Sequence, residues 1–191
     1  LFTFLKSKIQ LIILGDYMQG IYEFRGADTR FITMAHEIWC NESILKSSIF
    51  KKCNLSMSFR ITNQMAKFIN TSMLSENRLN ACREGEPVQY IRNNTSNTEK
   101  IILTIIKRIL SEGDLPSDIF ILASSIKGIT SNIRKIENAL SKIGIPCYIP
   151  NVDTDNVDER VVDGKIVFST FHTVKGRQRK YVFIVGFDNS Y

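Results

Sequence analysis

Short apolar runs alternating with helical apolar stripes constrain the fold of this chain more than any other feature. Residues 119–123, 165–169 and 181–185 are five residues long, too short for a helix, and apolar on successive positions (the middle three in 165–169), as strands buried on both faces are. Between and before them run helical stripes. Ile101, Ile102, Ile105, Ile106 and Ile109 recur along one helical face, and Ile133, Ile136, Leu140 and Ile143 do the same before Gly144 and Pro146 stop the helix. Strands joined by helices of this length require crossover connections and pair in parallel. The expected class is therefore α/β, a parallel sheet flanked by helices.

The rest of the chain fits this alternation. Residues 11–14, 53–58, 88–91 and 147–149 read as further strands. A helix capped by Asp28 or Thr29 carries Phe31, Ile32, Ala35, Ile38 and Trp39 and should stop near Asn41. Another over 62–74 has Met65, Ala66, Ile69 and Met73 as its inner face. Ser96 and Glu99 form a capping-box signature ahead of the isoleucine stripe. The polar, Ser- and Lys-rich stretch 41–52 predicts a boundary between two structural units, 1–45 and 46–191. The Asp-rich residues 151–164 predict a loop. With 43% hydrophobic residues the chain can build a core, which excludes a disordered tail. No apolar run approaches the length of a membrane helix, so no membrane partner is expected. Cysteines at 40, 53, 82 and 147 lack metal-binding spacing, which predicts reduced thiols, an intracellular location and no metal site. The opening Leu1, with no cleavable leader pattern after it, reads as a truncated start. A net charge of +6 favours anionic partners.

Three segments carry chemistry. The first, Gly15-Asp16-Tyr17-Met18-Gln19-Gly20-Ile21-Tyr22-Glu23-Phe24-Arg25-Gly26-Ala27-Asp28, follows an expected strand end, where open α/β sheets bind ligands. Gln19 offers an amide to a phosphate or a water, and Tyr22 and Phe24 offer flat faces to bases. A tight turn with two core aromatics explains the same residues. In the second, Leu55-Ser56-Met57-Ser58-Phe59-Arg60-Ile61-Thr62, an arginine beside an aromatic can grip a phosphate while the ring stacks on a base; an ordinary exposed arginine is the bland alternative. In the third, Ser169-Thr170-Phe171-His172-Thr173-Val174-Lys175-Gly176, His172 and Lys175 can contact a phosphodiester backbone, with Arg177, Arg179 and Lys180 adding charge. A solvated charge run is the competing explanation.

Taken together, these strings resemble the UvrD/Rep/PcrA branch of superfamily 1 helicases. The first resembles motif III, GDxxQxIYxWRGA, with Phe24 in place of Trp. The second resembles motif IV, LxxNYRS, with Phe59 in place of Tyr. The third resembles motif V, TxHxxKGLEFxxVF, with Arg177-Gln178-Arg179 where the family has Leu-Glu-Phe. Residues 118–124 and 143–148 resemble the family's intervening strand, helix and strand.

The resemblance implies two RecA-like domains, of which 1–45 would be the end of the first and 46–191 most of the second. It implies ATP and Mg2+ as cofactors, with the metal ligands outside this chain, and movement along single-stranded DNA, 3′ to 5′, from a duplex junction. Gln19 and Arg60 would contact the γ-phosphate, Phe59 would stack on adenine, and Gln178 would stand where the family's glutamate makes a nucleotide-sugar or catalytic-coupling contact. Tyr22, Phe24, Arg25, Thr170, His172 and Lys175 would hold DNA. No GxxxxGK[ST] loop occurs in the chain, and its one Asp-Glu pair, Asp158-Glu159, lies in a polar stretch. The isolated chain should therefore be inactive, with a missing N-terminal RecA-like domain as its partner. The 112 positions from Arg60 to His172 leave no room for a large inserted subdomain. The wording of the third string is similar to that of helicases of large DNA viruses. Two other classes use the same residues: a noncatalytic single-stranded DNA-binding module, and a helicase-like subunit of a nuclease complex.

Overall fold

The computed structural model describes residues 12–40, 51–92, 97–127, 131–150 and 159–187. The chain divides into two compact units, Leu1–Tyr90 and Ile91–Tyr191. The expected boundary at 45/46 lies outside the described residues. Both units are mixed α/β with parallel strand pairing.

In the first unit, strand β1 (Met57–Ser58) pairs in parallel with β2 (Asn80–Ala81). Two short helices, α1 (Arg30–Thr33) and α2 (Ala35–Cys40), precede them. The crossover between the strands is α3 (Asn63–Phe68), which continues as a π-helical segment, Ile69–Leu74. Thr62 caps α3 by accepting the Met65 amide at 3.3 Å. The helix over 62–74 was expected, but its inner face differs. Ala66 and Asn70 are buried, whereas Met65 and Met73 are exposed. The wider π turns move Met73 off the stripe that an α-helix would continue. The helix expected after Asp28 is broken at Met34, whose backbone (φ −113°, ψ 31°) leaves the helical region.

Two expected strands are not formed. Residues 12–16 are coil, with Ile12 and Leu14 exposed, and 88–91 is coil, with Val88, Tyr90 and Ile91 exposed. An apolar run becomes a strand only where a neighbour supplies a ladder, and among the described residues neither run has one.

The second unit contains the larger sheet. Strands β3 (Ile119–Ala123), β4 (Cys147–Tyr148), β5 (Ile166–Thr170) and β6 (Tyr181–Ile184) form an all-parallel sheet in the order β4-β5-β3-β6. Every residue of β3 and β5 is buried, as their composition predicts. Alternate side chains divide between two cores. Ile119, Ile121, Ile166 and Phe168 pack with α4 (Thr98–Ser111) through Ile102, Ile106 and Ile109, and with α5 (Asn132–Lys142) through Ile133, Ile136 and Leu140. Phe120, Leu122 and Val167 face the other way, against Val162 and Val174.

Ser131 caps α5 by accepting the Arg134 amide at 3.3 Å, and Gly144 leaves the helix at φ +78°, a conformation that favours glycine. Thr29 precedes α1 without a side-chain cap bond, and Ser96, the cap expected ahead of α4, lies outside the described residues. So do 151–158 of the expected loop; its remainder includes a single helical turn, α6 (Glu159–Val162), that delivers Val162 to the second core. Among the described residues no helix is long and apolar enough to cross a membrane.

Candidate functional site

The second and third chemistry-bearing segments leave strands and the first follows coil, and each is held by polar contacts of its own. In the first, Asp16 begins a 3-10 turn, Tyr17–Gln19, by accepting the Met18 amide at 3.1 Å. The same carboxylate accepts Nε2 of Gln19 at 2.9 Å and a guanidinium nitrogen of Arg78 at 2.6 Å. Arg78 in turn lies over the Tyr17 ring, 4.7 Å from its centroid. Partial burial pushes the Asp16 carboxyl up, but the hydrogen bonds from Gln19, Arg78 and Met18 and the Arg78 charge outweigh it. The group is held below the usual carboxylate range.

A second 3-10 turn, Glu23–Arg25, follows and ends at Gly26 with φ +80°. Arg25 is exposed and sits 5.8 Å from the centroid of the half-buried Tyr22 ring. The side chain of Phe24 lies outside the described residues.

Arg60 sits in the turn between β1 and α3. The Ser58 hydroxyl shapes this turn by accepting the amides of Arg60 and Ile61 at 3.3 and 3.4 Å. Segment 83–85 clamps it from outside. The Arg83 guanidinium donates to the Arg60 carbonyl, and the Arg83 carbonyl accepts the Asn63 amide at 2.7 Å. Glu84 accepts the side-chain amides of Asn63 and Gln64, which hold its carboxyl below the usual range. The Phe59 ring, 77% exposed, and the Arg60 side chain both face solvent. The turn thus presents a flat ring and a guanidinium side by side on a fixed backbone.

The third segment begins at the carboxyl end of β5. Oγ1 of Thr170 lies 3.0 Å from Oγ1 of Thr173 and accepts the Thr173 amide at 3.4 Å. The chain then curls back, with the Val174 amide donating to the Thr170 carbonyl at 3.3 Å, and Val174 buries itself in the second core. Gly176 closes the loop at φ +85°. This folding leaves His172 and Lys175 exposed at the carboxyl edge of the sheet, and Gln178 exposed beyond them.

Of the additional positive charge expected here, Arg177 stays with the loop, its amide donating to the Val174 carbonyl at 2.9 Å, but Lys180 and Arg179 do not. Lys180 pairs with Asp114, which also accepts the Tyr181 hydroxyl at 2.8 Å, at the opposite, amino-terminal edge of the parallel strands. Arg179 lies over the Phe120 ring at 5.2 Å. In a parallel sheet the end of β5 and the start of β6 are on opposite edges, so proximity in sequence does not bring Lys180 to His172.

Gln19 and Arg60 belong to the first unit, and Thr170, His172, Lys175 and Gln178 to the second. Sequence reasoning missed Asp16 as the anchor of Gln19, and Arg78, Arg83 and Glu84 as braces. It also missed the buried Asn70, whose Oδ1 accepts the Arg78 and Leu79 amides at 3.2 and 3.0 Å while its Nδ2 donates to the Leu79 carbonyl at 2.8 Å. One signal was available: Asn70 stands four residues after Ala66, on the same helical face. Among the described residues no three His, Cys, Asp or Glu side chains gather where a metal could be held.

Compared with known proteins, the chain matches no family model, and no match is found to a curated protein or to a solved structure.

Proposed function

We propose that this chain is part of a superfamily 1 DNA helicase of the UvrD type, contributing motifs III, IV and V of a RecA-like motor. The reading rests on the three strings in family order. The observation that carries it is the position of the third: Thr170, His172 and Lys175 leave the carboxyl end of a buried parallel strand, the edge on which open α/β sheets bind ligands.

The donor set fits a nucleoside triphosphate. Gln19 supplies an amide donor, Arg60 supplies a guanidinium on a braced turn, and the exposed Phe59 ring suits stacking on a base. In this reading magnesium is held where the resemblance implies, by ligands outside this chain. ATP hydrolysis supplies the free energy. Gln19 and Arg60 sense the terminal phosphate, and the Thr170–Lys175 loop, with Tyr22, Phe24 and Arg25, holds single-stranded DNA whose grip changes with that contact. Gln178, in the place of the family's glutamate, retains an acceptor for the nucleotide sugar.

The test is ATP turnover in the complete enzyme. Arg60→Ala is expected to lower it by roughly 10³-fold, the scale of an arginine that stabilises phosphoryl transfer. Near-normal turnover retires the assignment. Hydrolysis by the 191-residue chain alone would overturn the family reading, because no phosphate-cradling loop is present in it.

A further inference from the structure

A glutamine amide senses a phosphate only if it is aimed, and its flexible stem disperses it over many rotamers unless something holds it. Here Asp16 Oδ2 holds Nε2 of Gln19 at 2.9 Å, so the direction of the amide is set by the direction of the carboxylate. Asp16 is itself oriented by Arg78, from 62 residues further along the chain, at 2.6 Å. Arg78 has little freedom of its own: its backbone amide is tied to the buried Asn70, and its guanidinium is stacked on Tyr17. The links run in one direction, from Asn70 to Arg78 to Asp16 to Gln19. The charge also matters, since a bare carboxylate beside the sensor would repel an anionic phosphate, and Arg78 neutralises it.

We propose that Arg78 is a positioning residue: acting through Asp16, it aims the Gln19 amide and cancels the negative charge beside it. This inference rests on the reading of Gln19 as a phosphate sensor.

The link can be tested by NMR on the 191-residue chain without any activity. In the unmodified chain the Gln19 side-chain amide signals should lie away from free-glutamine values and shift as Asp16 is protonated. Arg78→Gln should move them to free values and raise the pH at which Asp16 titrates; Arg78→Lys, which keeps the charge but loses the flat stack, should fall between. Gln19 signals and pH response unchanged in Arg78→Gln overturn the proposal. Should that variant not fold, as judged by its backbone amide dispersion, Arg78→Lys decides in the same way.

In the complete enzyme, Arg78→Gln should lower kcat by about 10²-fold, the scale for a catalytic group misplaced by an ångström, with KM little changed. Lost turnover in Gln19→Ala beside unaltered kcat in Arg78→Gln also overturns it. Unaltered turnover in Gln19→Ala instead removes the sensor reading on which the functional half of the proposal depends, while the NMR result separately decides whether Arg78 aims Gln19.

Discussion

Among the described residues, the first unit is held mainly by polar contacts and the second by apolar burial. Among the described residues of the first unit, Ala66 is the one buried apolar side chain, and order comes from the Asn70 bonds to 78–79, the Asp16–Arg78 pair and the Glu84 clamp on α3. In the second unit, isoleucines of two helices and both faces of β3 and β5 make continuous cores. Apolar burial is nondirectional and tolerates small shifts. Hydrogen bonds and ion pairs fix direction but add little net stability in contact with water. The comparison teaches that the described contacts of the first unit aim side chains, while those of the second hold a sheet.

Four measurements can break or sharpen that contrast. The largest expected effect is Phe168→Ala. It removes a fully buried ring from the second unit and should cost about 3–5 kcal/mol in urea unfolding. A loss below about 1 kcal/mol would mean that the core described is not the one that folds. Asn70→Ala strands the Arg78 and Leu79 amides and should cost the first unit about 1–3 kcal/mol. Hydrogen exchange at residues 78 and 79 should accelerate, while β3 and β5 stay protected.

Smaller still are the caps. Ser131→Ala and Thr62→Ala should each cost about 1 kcal/mol. The first should lower the unfolding midpoint of the second unit, and the second should mainly speed exchange at the start of α3. Equal effects on both units would contradict the division.

The weakest effect is that of pH on the contact of Asp114, before β3, with Lys180 and Tyr181. Hydrogen bonds from Lys180 and Tyr181 hold the Asp114 carboxyl below its usual range. Its contribution is therefore present near neutrality and lost as pH falls through the lowered value. Hydrogen bonding to Asp114 raises the titration points of Lys180 and Tyr181, so their share is lost only in strong alkali. Tyr181 and Lys180 signals followed by NMR should show the acid step, and Asp114→Asn should abolish it.

How much of this was legible in the sequence follows the same division. The strands at 119–123, 166–170 and 181–184 and the helices carrying Ile106 and Ile136 were readable because apolar periodicity encodes burial directly. The strand expected over 53–58 is confined to Met57–Ser58, and the two-residue β2 is too short for any pattern to reveal. Residues 12–14 and 88–91 carry the apolar content of strands, but pairing depends on a neighbour that local sequence does not contain. The burial of Asn70 was not foreseen because a polar residue reads as solvent-facing, although its helical position pointed inward. Within the candidate site, Gln19, Phe59, Arg60, His172 and Lys175 could be singled out from local strings. Arg78 could not, since its only sign is a contact across 62 residues.

Cys147, at the start of β4, occupies a different chemical setting from Cys53 and Cys82. Burial, reinforced by the charge of Glu137, pushes its thiol up to about 12, whereas Cys53 and Cys82 are exposed. Only the thiolate attacks an alkylating reagent. A maleimide dye should therefore mark positions 53 and 82, both in the polar-braced unit, and spare 147. That would give a fluorescent reporter on one unit without touching the sheet of the other.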